Sequence, residues 1–101
     1  MIPGKEIRLG GDTYTVPPLT LGALQRFQAR LTSYSGTLNA DDVQTVIDVA
    51  TAALQRNYPD MTSERVADLI DLGNIQEVFM AVMSVSGLVP QGEAKAAPAK
   101  R

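Results

Sequence analysis

The N-terminal segment alternates apolar and polar residues with the period of two that is typical of a β-strand. Ile7 and Leu9 alternate with charged residues, Tyr14 and Val16 alternate with threonines, and residues 10–12 (GGD) lie between the two runs. This pattern predicts a β-hairpin. A turn at residues 10–11 would pair Ile7 with Tyr14, whereas a turn at residues 11–12 would pair Leu9 with Tyr14. Both registers place the four apolar side chains on one face, which must pack on the rest of the chain.

Helical periodicity begins directly after the hairpin. Pro17 and Pro18 cannot donate ladder hydrogen bonds and should end the second strand. Thr20 is the expected N-cap of a first helix that runs to about residue 32. Its apolar positions recur every three to four residues and predict one inward stripe, made of Leu21, Leu24, Phe27 and Leu31. The serine- and glycine-containing residues 33–38 predict a loop.

A second helix has the most regular pattern in the chain. Asn39 or Asp41 would cap its start. The residues expected to face inward are Val43, Val46, Ile47, Ala50, Ala53 and Leu54. The residues expected to face outward are Gln44, Asp48, Thr51 and Gln55.

Two further helices complete the predicted bundle. Pro59 and Asp60 end the second helix, and Thr62 caps a short third helix. Its inward residues are Val66, Leu69 and Ile70. Asn74 is the expected cap of a fourth helix that runs to about Ser86, and Gly87 should stop it.

The fourth helix is apolar nearly all round, since residues 78–89 carry no charge. Such a helix is normally buried on more than one side. Two interpretations stay open: it is the central helix of the bundle, or one of its faces is reserved for a partner. Its methionines suit the second interpretation, because a flexible thioether can repack against varied surfaces.

These elements predict an α+β, mostly α fold, in which the N-terminal hairpin packs on a small bundle of about four helices. A length of 101 residues fits one domain, which we place at residues 1–88. Residues 89–101 combine Ala, Lys, Pro and Gly with low hydrophobicity. They predict a disordered C-terminal tail or a linker.

Composition excludes several functions. The chain has no histidine and no cysteine, so neither the usual zinc sites nor Cys/His and Ser-His-Asp catalysis are expected. Asp68 and Asp71 would share a helix face but would hold a cation only weakly. No uncharged apolar run reaches the ~18–20 residues that a membrane span needs. The sequence therefore predicts no enzyme, no cofactor, no metal ion and no membrane contact.

Charge is unevenly distributed along the chain. The net charge is −2, but residues 1–38 carry +2, residues 39–87 carry −6 and residues 88–101 carry +2. The acidic middle would repel a phosphate backbone, and no basic stripe with interleaved aromatic residues offsets it. We therefore expect no nucleic-acid partner. The carboxylates serve as a solubilising surface or as a complementary face for a basic partner.

Four segments together resemble a known family. They are residues 16–21 (VPPLTL), 54–64 (LQRNYPDMTSE), 68–72 (DLIDL) and 86–88 (SGL), in a chain that begins with a short hairpin. This arrangement resembles the small tail assembly chaperones of tailed phages and prophages over about residues 5–88. The shared segments are structural rather than catalytic.

The resemblance implies a role in tail morphogenesis. Such a chaperone would act in the host bacterial cytoplasm, bind the long helical tape measure protein and keep it soluble. It would also help to recruit tail tube protein, and it would be absent from the mature virion. Many members are made as a short form and a frameshifted long form, and residues 91–101 would suit the end of the short form.

The apolar face of the fourth helix is the predicted partner-binding site. It comprises Val78, Phe79, Val82 and Met83 together with Met80. An acidic rim of Asp68, Asp71 and Glu77 would steer basic segments of the client. The same face would also support self-association into a homo-oligomer.

Two other functions remain alternatives. A structural virion component of the tail tube or connector would stay in the particle, although such subunits favour a strand-rich sequence. A cytosolic protein-interaction adaptor unrelated to phages is the second alternative.

Overall fold

A computed structural model describes residues 1–88 of the chain, which form a two-stranded sheet and four helices. The predicted α+β, mostly α fold is confirmed. The predicted disordered tail at residues 89–101 lies outside the described residues. In chain order the elements are β1 (Lys5–Leu9), β2 (Asp12–Val16), α1 (Leu21–Ser33), α2 (Ala40–Leu54), α3 (Ser63–Leu69) and α4 (Ile75–Val85).

The hairpin adopts the first of the two registers that the sequence allowed. Ile7 lies opposite Tyr14 and Leu9 lies opposite Asp12, so the turn consists of Gly10 and Gly11. Their φ angles of +60° and +88° are those of a type I′ turn, which suits the right-handed twist of the strands. The four apolar side chains of the hairpin are buried on one face, as predicted.

The core is built around α2 and α4. Helix α2 packs against α1, α3, α4 and β2, and α4 packs against α2 and both strands of the hairpin. The most deeply buried large side chains are Leu9, Val16, Val46, Val49, Leu54, Val66, Val78 and Val82. Helix α4 is therefore a central helix, covered by α2 and by the inner face of the hairpin.

Two orientation predictions are wrong, those for Thr51 and Leu21. Thr51 was expected to face outward but is buried, and its hydroxyl donates to the Ile47 carbonyl oxygen at 2.7 Å. Val49 lies off the predicted stripe, yet it is fully buried. Thr51 and Val49 are buried because α2 has neighbours around most of its circumference. Leu21 was expected to face the core, but it is 83% exposed, and Ala23 is the one residue that α1 buries fully.

Side chains of the α2–α3 connection cover the outer edge of β2. The Tyr58 hydroxyl accepts a hydrogen bond from the Thr15 backbone N–H at 2.8 Å. Asn57 Nδ2 donates to the Thr15 carbonyl oxygen at 3.1 Å and to the Ile2 carbonyl oxygen at 2.9 Å. The Tyr58 ring also meets Tyr14 edge to face, with ring centroids 5.3 Å apart. These contacts attach the hairpin to the helices through its backbone as well as through its apolar face.

Three of the predicted helix caps form. Thr20 Oγ1 accepts from Ala23 N at 3.1 Å, Thr62 Oγ1 accepts from Arg65 N at 3.1 Å, and Asn39 caps α2. Asn74 occupies the N-cap position of α4 but makes no side-chain cap bond. Its Oδ1 instead accepts from the Asp71 N–H at 2.8 Å, within the preceding turn.

The α1–α2 loop is organised by the Asp42 carboxylate, which is only 3% exposed. It accepts hydrogen bonds from Ser35 Oγ at 2.8 Å and from the backbone N–H groups of Ser35 and Thr37 at 3.2 and 3.1 Å. Leu38 in this loop has φ +63°, a left-handed conformation that costs energy for a residue with a branched side chain. Asp42 therefore supplies much of the bonding that holds this loop in place.

We predict a pH-dependent loss of stability centred on Asp42. Burial opposes its charge, but the Ser35 hydroxyl and the loop N–H groups lower its pKa below the usual value. Because the folded pKa is the lower one, this contribution is present above about pH 4 and is lost as pH falls through the folded pKa. Asp42→Asn should therefore lower Tm at pH 7. The Tm difference between this variant and wild type should become smaller at the most acidic pH.

Calorimetric scans from pH 7 to the acid range would test this prediction. Asp41→Asn is the matched control, since Asp41 lies one residue away on the same helix and is exposed. Equal Tm changes for the two variants at every pH would contradict the assignment.

Candidate functional site

A groove of about 570 Å³ lies between α1 and α4. It exists because α1 packs mainly on α2 and leaves its other side facing α4 across a gap. The lining residues are Leu24, Gln28, Leu31, Thr32, Tyr34, Gly36, Gln76, Phe79, Met80, Met83 and Leu88. We refer to this feature as the α1–α4 groove.

Helix α1 forms one wall through positions 24, 28, 31 and 32, which lie on one side of a helix. Its opposite side is fixed to α2 by the Arg30 to Asp48 salt bridge, with an N···O distance of 2.9 Å. The Arg30 guanidinium also lies 5.7 Å from the centroid of the Phe27 ring. The position of α1 therefore depends on contacts with α2, while its groove side stays open.

Hydrogen bonds hold the segment that leads into α1. The Leu19 N–H donates to Ser86 Oγ at 2.9 Å, which ties this segment to the end of α4. Arg56 Nη1 donates to the Pro18 carbonyl oxygen at 2.7 Å. The segment before α1 is thus bonded to residues that follow the C-terminal ends of α2 and α4.

A stacked aromatic pair forms part of the groove lining. The rings of Tyr34 and Phe79 are stacked, with centroids 4.2 Å apart and an interplanar angle of 26°. Burial of the Tyr34 phenol, and secondarily the negative charge of Asp42, raise its pKa above the usual value. Tyr34 directly precedes Ser35, whose backbone N–H and hydroxyl donate to Asp42.

The wall on α4 ends in a Schellman motif. The Leu88 N–H donates to the Met83 carbonyl oxygen at 2.7 Å and the Gly87 N–H donates to the Ser84 carbonyl oxygen at 3.1 Å. Gly87 has φ +77°, which glycine adopts without strain. This reversal places the Leu88 side chain against the groove and the core.

None of the lining residues carries a charge. The polar side chains among them belong to Gln28, Thr32 and Gln76, and Tyr34 adds its hydroxyl. A charged ligand group entering here would lose water without gaining an ionic partner, which is costly. Apolar groups would gain about 25 cal/mol for each Å² of apolar surface they bury. The groove is therefore suited to binding an apolar surface.

The structure divides the predicted apolar site residues into two sets. Phe79, Met80 and Met83 line the α1–α4 groove, and Met80 is the most accessible of them. Val78 and Val82 are each 1% exposed and lie in the core against α2 and the hairpin. They are not accessible to a partner in this conformation. The fourth helix thus serves the core with one side and the groove with another.

The predicted acidic residues are not brought to the groove. None of Asp68, Asp71 and Glu77 lines it, although all three are exposed. Asp71 was expected to share a helix face with Asp68, which is wrong because α3 ends at Leu69. Asp71 Oδ1 instead accepts from the N–H groups of Gly73 and Asn74 in the turn before α4. The role of Asp68, Asp71 and Glu77 in steering a client stays a prediction.

Sequence reasoning missed the other half of the groove. Leu24 and Leu31 were assigned to the core stripe of the first helix, and Tyr34 and Leu88 were not considered as site residues. The sequence did contain one signal of an accessible side, since Gln28 and Thr32 share a side of the helix with Leu24 and Leu31. A fully buried face would have disfavoured these polar residues.

The chain matches no protein-family model, no curated protein and no solved structure. Among residues 1–88, no helix has the length and apolar composition needed to cross a membrane. Within the same residues, no group of three or more acidic side chains is placed to hold a metal ion.

We predict that carboxylates at positions 80 and 82 destabilise the fold to very different extents. Val82→Asp places an unpaired charge in the core and should destabilise the protein by more than about 4 kcal/mol. Met80→Asp places the same charge at the groove, where water solvates it, and should cost no more than about 1–2 kcal/mol. Urea denaturation followed by circular dichroism measures both. Similar midpoints for the two variants would contradict this division of α4.

Proposed function

We propose that this protein is a tail assembly chaperone that holds an apolar helical segment of the tape measure protein in the α1–α4 groove. By covering that segment it keeps the tape measure protein soluble in the host bacterial cytoplasm. It also helps to recruit tail tube subunits and leaves before the particle is complete. The resemblance in residues 16–21, 54–64, 68–72 and 86–88 supports the family assignment.

The observation that carries the binding proposal is the uncharged groove between two helices. Leucines on one wall and methionines on the other provide apolar contact, and a stacked aromatic pair adds to the lining. An amphipathic helix that lays its apolar face between two helices is a common mode of peptide recognition. Leu24 and Met80 lie on opposite walls and would contact such a helix together.

The methionines fit a client that offers many similar segments. Met80 and Met83 have unbranched side chains that adjust to different partner surfaces. A long helical protein presents a series of apolar stripes that differ in detail. A groove lined by adaptable side chains would bind several of these stripes, whereas a rigid pocket would select one.

The experiment is co-expression of this chain with the tape measure protein encoded in the same phage operon. Leu24→Asp and Met80→Asp each place a carboxylate against the apolar face of the client, which should weaken binding by about tenfold or more. The soluble fraction of the tape measure protein should fall accordingly. Mass spectrometry of purified particles should not find this chain.

Leu72→Asp is the matched control, because Leu72 is an exposed leucine outside the groove. It should leave client solubility unchanged. If the groove variants fold and still keep the client soluble, this groove is not the binding site. Recovery of the chain from finished particles would instead make it a structural component of the tail.

A further inference from the structure

The two edges of the hairpin differ in how their backbone groups are satisfied. On β2, the N–H and C=O groups of Thr15 bond to Tyr58 and Asn57, so they point away from β1. Thr15 lies opposite Glu6, which makes Glu6 and Thr15 a pair that exchanges no ladder hydrogen bonds. Such pairs alternate with hydrogen-bonded pairs along an antiparallel ladder, so the same holds for Arg8 and Thr13.

The backbone groups of Glu6 and Arg8 therefore point out of the hairpin on the β1 side. Within residues 1–88 no hydrogen bond reaches them. Both side chains are exposed, on the face opposite buried Ile7 and Leu9. The β1 edge thus offers two N–H donors and two C=O acceptors to another strand, an arrangement that favours pairing.

We propose that two copies of this chain pair through their β1 edges, antiparallel about a two-fold axis at Ile7. Glu6 then lies opposite Arg8 of the second copy, and Arg8 lies opposite Glu6 of the second copy. Each of these two pairs exchanges both backbone hydrogen bonds. The result is a four-stranded antiparallel sheet with the strand order β2-β1-β1-β2.

Charge complementarity favours a second copy as the occupant of this edge. Glu6 and Arg8 carry opposite charges and lie symmetrically about Ile7, so an antiparallel copy juxtaposes opposite charges at both positions. Arg8 is available for this contact, since its Nη2 makes only one exposed hydrogen bond, of 3.3 Å, to the Gly11 carbonyl oxygen. Ile7 lies opposite Ile7 of the second copy at the two-fold axis.

This interface is separate from the α1–α4 groove. Neither Glu6 nor Arg8 lines the groove. The hairpin packs on the core through the face that carries Ile7 and Leu9. A dimer would therefore present two grooves at the same time. Pairing through β1 and client binding through the groove can succeed or fail independently.

Charge-swapped variants test the proposal by sedimentation velocity over a concentration series. Wild type should form a dimer. Glu6→Arg and Arg8→Glu each replace two opposite-charge pairs with two like-charge pairs, and each should weaken the dimer by about tenfold. Mixing the two single variants should restore dimers as a heterodimer, and the double swap Glu6→Arg/Arg8→Glu should restore the homodimer.

Proline variants test the backbone contacts. Arg8→Pro removes an N–H that points out of the hairpin and should abolish dimerisation while the helical circular dichroism signal is retained. Thr13→Pro is the control, because the Thr13 N–H points to the opposite edge, and it should still dimerise.

Three outcomes would overturn the proposal. Wild type could remain monomeric at the highest concentration, in which case the β1 edge would not pair with a second copy of this chain. Both single charge variants could dimerise as well as wild type. Their mixture could also fail to form a heterodimer while each variant remains folded.

Discussion

The burial of α2 is the constraint on which the rest of the structure depends. This helix packs against α1, α3, α4 and β2, and it buries Thr45 and Thr51 as well as its apolar residues. The two threonine hydroxyls donate to carbonyl oxygens four residues earlier. Among the described residues, no buried polar side-chain atom lacks a hydrogen-bond partner. With α2 surrounded, α4 and the hairpin complete the core, and α1 packs mainly on α2.

Helix α1 is packed less completely than α2 and α4. Its apolar side chains are more numerous than its contact with α2 can cover, and only Ala23 is fully buried. Of the others, Leu24 and Leu31 face Met80 and Met83 of α4 across an open groove. The groove thus keeps apolar surface accessible while the core stays buried. The β1 edge is a second surface of this kind, where unpaired backbone groups rather than apolar side chains are available.

Much of the fold could be predicted because it depends on neighbours in the sequence. Two glycines allow the type I′ turn, Thr20 and Thr62 cap helices through bonds three residues away, and Gly87 ends α4. The candidate site was predicted only in part. Phe79, Met80 and Met83 were identified, but Val78 and Val82 were grouped with them because the helix is apolar on several sides. Periodicity gives the apolar sides of a helix and not the element that covers each.

The sequence alone determined the hairpin, the existence of four helices, the inward face of the hairpin and the absence of histidine and cysteine chemistry. Only the tertiary structure decided which side of α1 packs on α2 and which side faces the groove. That choice depends on contacts between residues far apart in the chain: Arg30 with Asp48, Leu19 with Ser86, and Tyr34 with Phe79. Such contacts form only when the elements have assembled, so local patterning cannot specify them.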